Sequence, residues 1–157
     1  MIAAFISAAP RRRLLLLGHF DKTALPNALL TRTDAVPFNT YETYLAALAR
    51  ADCAVMPLAD DQFNQCKSAV RVIDAAAVSI PSVVSHVGDL STMVLQGETG
   101  FVARTPKDWL THLTSLADDP LRTAQMGASA RYGLETQWSG RDNPSIVDPE
   151  ILKWVQT

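Results

Sequence analysis

The chain has 157 residues, enough for one domain with a sizeable core, and its 48% hydrophobic and 19% charged residues fit a soluble globular protein. The net charge of −2 excludes a broad nucleic-acid surface, and the lone basic cluster Arg11-Arg12-Arg13 is too short to reverse that. Two cysteines, Cys53 and Cys66, are too few for a disulfide scaffold. Cys53 lies inside an apolar run and reads as a small core residue, so a reducing compartment is expected.

Ile2 to Ala9 is apolar and rich in small residues. Its arginines follow it, whereas a secretory signal puts positive charge first, and the stretch is too short to span a bilayer. It reads as the end of a packed helix, and no other segment has a transmembrane pattern. A strand is then predicted over Leu14 to Gly18, a helical turn over Pro26 to Leu30, and a short strand over Val36 to Phe38. Asn39 or Thr40 can cap a helix from Tyr41 to Arg50, with Tyr44, Leu45, Leu48 and Ala49 on one apolar stripe. Cys53 to Leu58 reads as a buried strand, Ser68 to Val78 as a helix, Ser82 to Ser85 as a strand, Leu90 to Leu95 as a short helix and Phe101 to Ala103 as a strand. Two helices follow, Pro106 to Ala117 and Pro120 to Gln137, each with proline in its first turn and joined at Asp118-Asp119. The tail from Ser139 is polar and proline-interrupted, with a short helix expected over Pro149 to Val155. Uniformly apolar strands alternating with helices predict a doubly wound, Rossmann-like parallel sheet with helices on both faces. The expected domain spans residues 1–138, and 139–157 form a tail.

The segment Ala51 to Arg104 has the strand, loop, helix, strand layout of a nucleotide-binding unit. The helix opening at Lys67-Ser68 turns free backbone N–H groups and a positive dipole end toward the preceding loop. Ala69 and Ala75 are small enough for a ligand to approach the backbone. Lys67, Arg71 and Asp74 share one stripe beside an apolar stripe of Val70, Ile73 and Ala77. Two cations and a carboxylate there suit a diphosphate and the vicinal hydroxyls of a ribose. The competing reading is a solvated face with an Arg71–Asp74 ion pair. Gln96-Gly97-Glu98-Thr99-Gly100-Phe101-Val102 holds two glycines before an apolar strand, a tight turn that also fits an ordinary helix-to-strand connection. The three histidines have no metal-site spacing, so no metal is expected.

In order and wording, Ala51-Asp52-Cys53-Ala54-Val55-Met56-Pro57, Val72-Ile73-Asp74-Ala75-Ala76-Ala77, Ile80-Pro81-Ser82-Val83-Val84-Ser85 and the glycine turn at Gln96 to Val102 resemble the C-terminal half of GT-B glycosyltransferases of family 4, the group 1 type. Phe63-Asn64 with Lys67-Ser68, then Asp108-Trp109-Leu110 and Asp119-Pro120-Leu121-Arg122, resemble a subgroup from bacterial polysaccharide and O-antigen synthesis. The resemblance covers roughly Leu14 to Trp138.

The resemblance implies a nucleotide-diphosphate sugar as donor substrate, with no cofactor and no metal for transfer. It puts Asp74 on the donor ribose and the backbone of Ser68, Ala69 and Val70 on the diphosphate. Lys67 and Arg71 would stand in for the family's Arg/Lys pair, Pro37 and Phe38 would line the base pocket, and Gly18 and His19 would lie near the donor. From the residues alone, Phe38 reads as core, and His19 and His86 as strand-end histidines. The family pairs two glutamates eight positions apart; here Cys66 takes the place of the sugar-contacting one, and the ribose-contacting one is shortened to Asp74. The acceptor-binding half and the donor half's first strand and helix have no counterpart in this sequence. No catalytic residue is assigned, and the chain alone is expected to be inactive. Three readings follow: a donor-binding domain working with a separate N-terminal half, a non-catalytic nucleotide-binding or assembly module pairing with another copy through an open sheet edge, or an unrelated doubly wound domain. The expected location is the cytoplasm, peripheral to the inner membrane.

Overall fold

Short apolar runs set the strands, and the capped helices between them set the layers. In the computed structural model, residues 1–21, 25–139 and 153 are described. The order is α1 (Ile2–Ser7), β1 (Leu14–Leu17), α2 (Asn27–Leu30), β2 (Thr33–Val36), α3 (Tyr41–Leu48), β3 (Ala54–Met56), α4 (Gln62–Gln65), α5 (Val70–Ala77), β4 (Ser82–Ser85), α6 (Leu90–Met93), β5 (Gly100–Ala103), α7 (Pro106–Asp118) and α8 (Pro120–Gly133). A π-helical turn, Leu134–Trp138, extends α8. The helix predicted over Pro149 to Val155 lies outside the described residues except for Lys153.

All strand pairs are parallel, in two sheets ordered β1-β2 and β3-β4-β5. Successive strand residues face opposite sides. Val84 accordingly joins a core with Leu48, Met56, Val72, Ala75 and Leu90 from β3, α3, α5 and α6. Val83 joins a second core with Phe101, Trp109, Leu113, Leu116 and Met126 from β5, α7 and α8. Helices therefore cover both faces, as the sequence pattern implies. Two arginines of the cluster are engaged by the fold: Arg12 lies 4.2 Å over the Phe5 ring, and Arg13 makes two hydrogen bonds at the surface to the Asp34 carboxylate.

Four expectations need correction. Strand β2 starts at Thr33 and stops at Val36, not Val36 to Phe38, because Pro37 has no N–H to continue a ladder whose last bond is Gly18 N–H to the Val36 carbonyl. Helix α4 was not foreseen; Asp61 caps this short turn by accepting from the Asn64 N–H. Helix α5 starts at Val70, so Lys67 and Ser68 stand in the loop and Ala69 is the cap residue. Its inward face carries Val72, Asp74, Ala75 and Ala76, while Val70 is exposed, which overturns the predicted apolar stripe.

Helix α5 ends in a Schellman turn: Ser79 N–H bonds the Ala76 carbonyl and Ile80 N–H bonds the Ala75 carbonyl. That turn places Ser79 at φ 59°, a left-handed conformation that glycine adopts without strain. Helix α8 crosses here, and its Gly127 leaves no room: a Cβ would overlap the Ser79 carbonyl oxygen. Arg131 of α8 donates to the Ala77 carbonyl, tying the same helix end.

Three predictions follow from this packing. Gly127→Ala should lower stability by about 2 kcal/mol through overpacking, whereas Gly133→Ala, with open space around it, should raise it by about 0.5 kcal/mol; matching urea midpoints for the two variants would contradict the close approach. Ser79→Gly should stabilise by about 1 kcal/mol by removing left-handed strain, read from thermal unfolding. Asp108 caps α7 by accepting from the Arg104 and Thr105 N–H groups, and these bonds hold its carboxyl below the usual carboxylate range. Its contribution should be complete above the unfolded value of about 3.9 and be lost as pH falls through the lower folded value. Urea midpoints of wild type and Asp108→Asn should therefore converge in acid; a constant gap down to pH 2 would contradict this.

Candidate functional site

Within each sheet the strands run the same way, so their carboxyl ends and following loops gather on one side. Phe38 and the start of α3 follow β2, residues 57–69 follow β3, and residues 86–89 follow β4. These loops are fixed to one another. The Leu58 N–H donates to Ser85 Oγ at the end of β4. Gly88, at φ 53°, lies so close to α4 that a Cβ would sit 2.8 Å from the Gln65 carbonyl oxygen.

Asp74 sits in the middle of α5 and is only 4% exposed. Tyr41, in the first turn of α3, donates its phenol hydrogen to Asp74 Oδ1 at 2.5 Å. This bond joins the element after β2 to the element after β3, and so links the two sheets at the site. The Arg71–Asp74 ion pair of the competing sequence reading is not formed among the described residues. Tyr41 stacks on Tyr44 at 6.1 Å, and Tyr44 lies 6.1 Å from Phe38. The hydrogen bond to Asp74 raises the Tyr41 phenol above its ordinary range. Burial, with the Asp74 charge adding, pushes Tyr44 up to about 12. Both phenols therefore stay protonated over the carboxylate at neutral pH.

Phe38 is 63% exposed, so the reading of it as core is wrong and it stands as an open aromatic face. Helix α5 has no side-chain cap, and the N–H groups of Val72 and Ile73 both turn back to the Ala69 carbonyl. The Val70 and Arg71 amides are thus the helix donors turned outward. Ala69 is buried and Ser68 is exposed in the loop. Lys67 is placed with its ammonium 4.7 Å from the Phe63 ring centroid, a cation–π contact. Gly18 is at φ 105°, and His19 is exposed beside it. Cys66, at the end of α4, is exposed and offers a thiol where the resemblance expects a carboxylate. The structure thus brings together Asp74, Phe38 and, through Tyr44, the charge of Arg71. Tyr41 and Tyr44 were not foreseen as its partners; Phe38, Tyr41 and Tyr44 recur every third residue, but Phe38 was given only the base pocket, Tyr44 only an apolar stripe and Tyr41 only the start of the helix.

A separate cavity of about 70 Å³ lies between α5, α6 and the end of α8, lined by Ile73, Met93, Leu95, Thr99 and Trp138 with no charged side chain. It is far below the roughly 300 Å³ of a small-molecule pocket. Among the described residues, no group of three His, Cys, Asp or Glu is placed to hold a metal ion, and no helix is long and apolar enough to cross a membrane.

Comparison with known proteins agrees with the fold. Residues 2–119 match the family described as glycosyl transferases group 1. Glycogen synthase of Mycobacterium tuberculosis is 30% identical over 118 residues, which are 73% of this chain and 27% of that enzyme. The chain thus spans only about a quarter of that relative's length. Sucrose-phosphate synthase from Thermosynechococcus elongatus superposes with a TM-score of 0.74 at 20% identity, covering 99% of this chain and 42% of that one. HepE from Anabaena, in complex with UDP, superposes with a TM-score of 0.67 at 16% identity over 96% of this chain and 43% of that one. In fold these are GT-B glycosyltransferase structures, and this chain belongs to the group 1 glycosyltransferases.

Proposed function

We propose that residues 1–138 form a donor-binding domain that holds a nucleotide-diphosphate sugar at the carboxyl ends of the strands. The observation that carries this reading is the carboxylate of Asp74, set about one turn into an uncapped helix and flanked by aromatic rings. The Val70 and Arg71 amides, the Ala69 and Ser68 backbone, and the Lys67 and Arg71 side chains would take the diphosphate. Asp74 would accept from the ribose hydroxyls, and Phe38 would stack on the base. Gly18 permits close approach, with His19 beside the sugar. HepE, of the same fold, is complexed with UDP and with UDP-glucose.

In sugar transfer such a domain would stabilise charge on the departing diphosphate. The acceptor would be held by an N-terminal half of the GT-B fold, and a carbohydrate or lipid-linked acceptor in bacterial glycan synthesis fits the subgroup wording. On this reading the chain works in the cytoplasm. Alone it transfers no sugar, because Cys66 offers no carboxylate to the donor sugar. That same thiol favours a second reading, a nucleotide-binding or assembly module without catalysis. Strands β1 and β3 each have a hydrogen-bonded neighbour on one side only among the described strands, so another chain could pair there.

Titration with UDP, GDP and inorganic diphosphate, followed by heat or NMR shifts, tests the donor site. UDP or GDP should bind, and Asp74→Asn should weaken the nucleotide by about tenfold, the loss of a charge-assisted hydrogen bond, with little change for inorganic diphosphate. No nucleotide binding at millimolar concentration would overturn the donor site, and equal losses for both ligands would overturn the ribose role.

A further inference from the structure

We propose that the Tyr41 phenol occupies, in the free protein, the hydrogen-bonding place on Asp74 that a ribose hydroxyl takes in the complex, so that a nucleotide binds by displacing it. The inference rests on the donor-site reading above and adds a gate to it.

Asp74 is 4% exposed, and a buried carboxylate without a donor is costly. Tyr41 supplies that donor at 2.5 Å, and no buried side-chain polar atom is left unpartnered among the described residues. A ligand hydroxyl that comes to the place the phenol holds on this oxygen replaces that bond. A fully ionised phosphate has no hydrogen to donate and would be repelled by the carboxylate; a neutral hydroxyl can make the exchange. The phenol and the ribose hydroxyl are the same kind of donor, a neutral O–H.

The surroundings allow the exchange. Tyr41 occupies the first position of α3 and is 51% exposed, so its ring can swing toward solvent without opening a core. Tyr44, half-buried against the core of α3, β3 and α5, stays behind as the wall. The Thr40–Thr43 capping box holds the start of the helix while the side chain moves. The Tyr44 phenol also faces the carboxylate and stays protonated at neutral pH. The closed bond thus favours ligands that carry hydroxyl donors over ligands that carry phosphate alone.

The test uses the wild-type chain and Tyr41→Phe with three probes: UDP, 2′,3′-dideoxy-UDP and inorganic diphosphate. Removing the phenol should tighten UDP by about tenfold, since ribose no longer competes for the carboxylate, and should leave the dideoxy analogue and inorganic diphosphate unchanged. A ring-labelled wild-type chain gives a second readout that needs no variant: UDP should shift the Tyr41 ring signals, and dideoxy-UDP should not. Equal changes for UDP and its dideoxy analogue, or weaker UDP binding by Tyr41→Phe, would overturn the gate while leaving the donor site standing. Absence of UDP binding to both proteins would overturn the donor site and the gate together.

Discussion

Val83 and Val84 are neighbours in sequence, both wholly buried, and they belong to different cores. Strand β4 therefore has no solvent face, and burying the two side chains contributes roughly 1.5–3 kcal/mol each. Everything that touches β4 must come close. Gly100 of β5 has no room for a Cβ, which would overlap the Ser82 carbonyl oxygen. The turn before β4 is pinned by the Schellman bonds of α5 and by Gly127 of α8 beneath it. A residue with a side chain at either glycine would push β4 out of one core or the other.

The site inherits its geometry from that strand. Helix α5 packs on β3 and β4 through Val72 and Ala75, which sets Asp74 on the adjoining buried face rather than in solvent. Ser85, the last residue of β4, accepts from the Leu58 N–H and so fixes the loop leading to Lys67. The loop after β4 then closes on α4 through Gly88. The start of α5 is thus held by its surroundings without a capping side chain of its own, and its first amides have no intrahelical acceptor.

The sequence made the layers legible because apolar strands require cover on both faces, and Ser82–Ser85 is buried throughout, whereas Leu14–Leu17 is half-buried. Thr40, one of the two caps read at the start of α3, caps by a local rule: a short oxygen side chain meets an amide two or three residues on; Thr105 and Asp119 cap in the same way, though only the prolines after them were read. Strand β2 was displaced because its start is polar, Thr33 and Asp34, and is recruited by pairing with β1 rather than by its own hydrophobicity. The inward face of α5 was misjudged because a charged residue was assigned outward by type, whereas Asp74 is buried beside Ala75 and Ala76. No single-helix pattern predicts that, since the partner making burial tolerable, Tyr41, lies on another helix 33 residues away. Phe38 was equally ambiguous: an aromatic after a strand is core or platform depending on a helix angle that the sequence does not state.

The shortened carboxylate ties these points together. In the family resemblance the ribose-contacting residue is a glutamate, and Asp74 is one methylene shorter. A longer side chain at this position of α5 would carry its charge farther from the helix axis and closer to solvent. The aspartate keeps its charge near the backbone, under the α3 aromatics, where an uncompensated carboxylate is unfavourable. A hydroxyl donor at the first turn of α3 compensates for that shortening, and Tyr41 is long enough to reach in from a half-exposed position. On the proposed donor site this contact is made within the protein before a ligand arrives, so a ribose hydroxyl that takes the phenol's place would gain only the excess of its own bond over the one it replaces. Weak binding by such a site would reflect this internal competition, with the carboxylate still present.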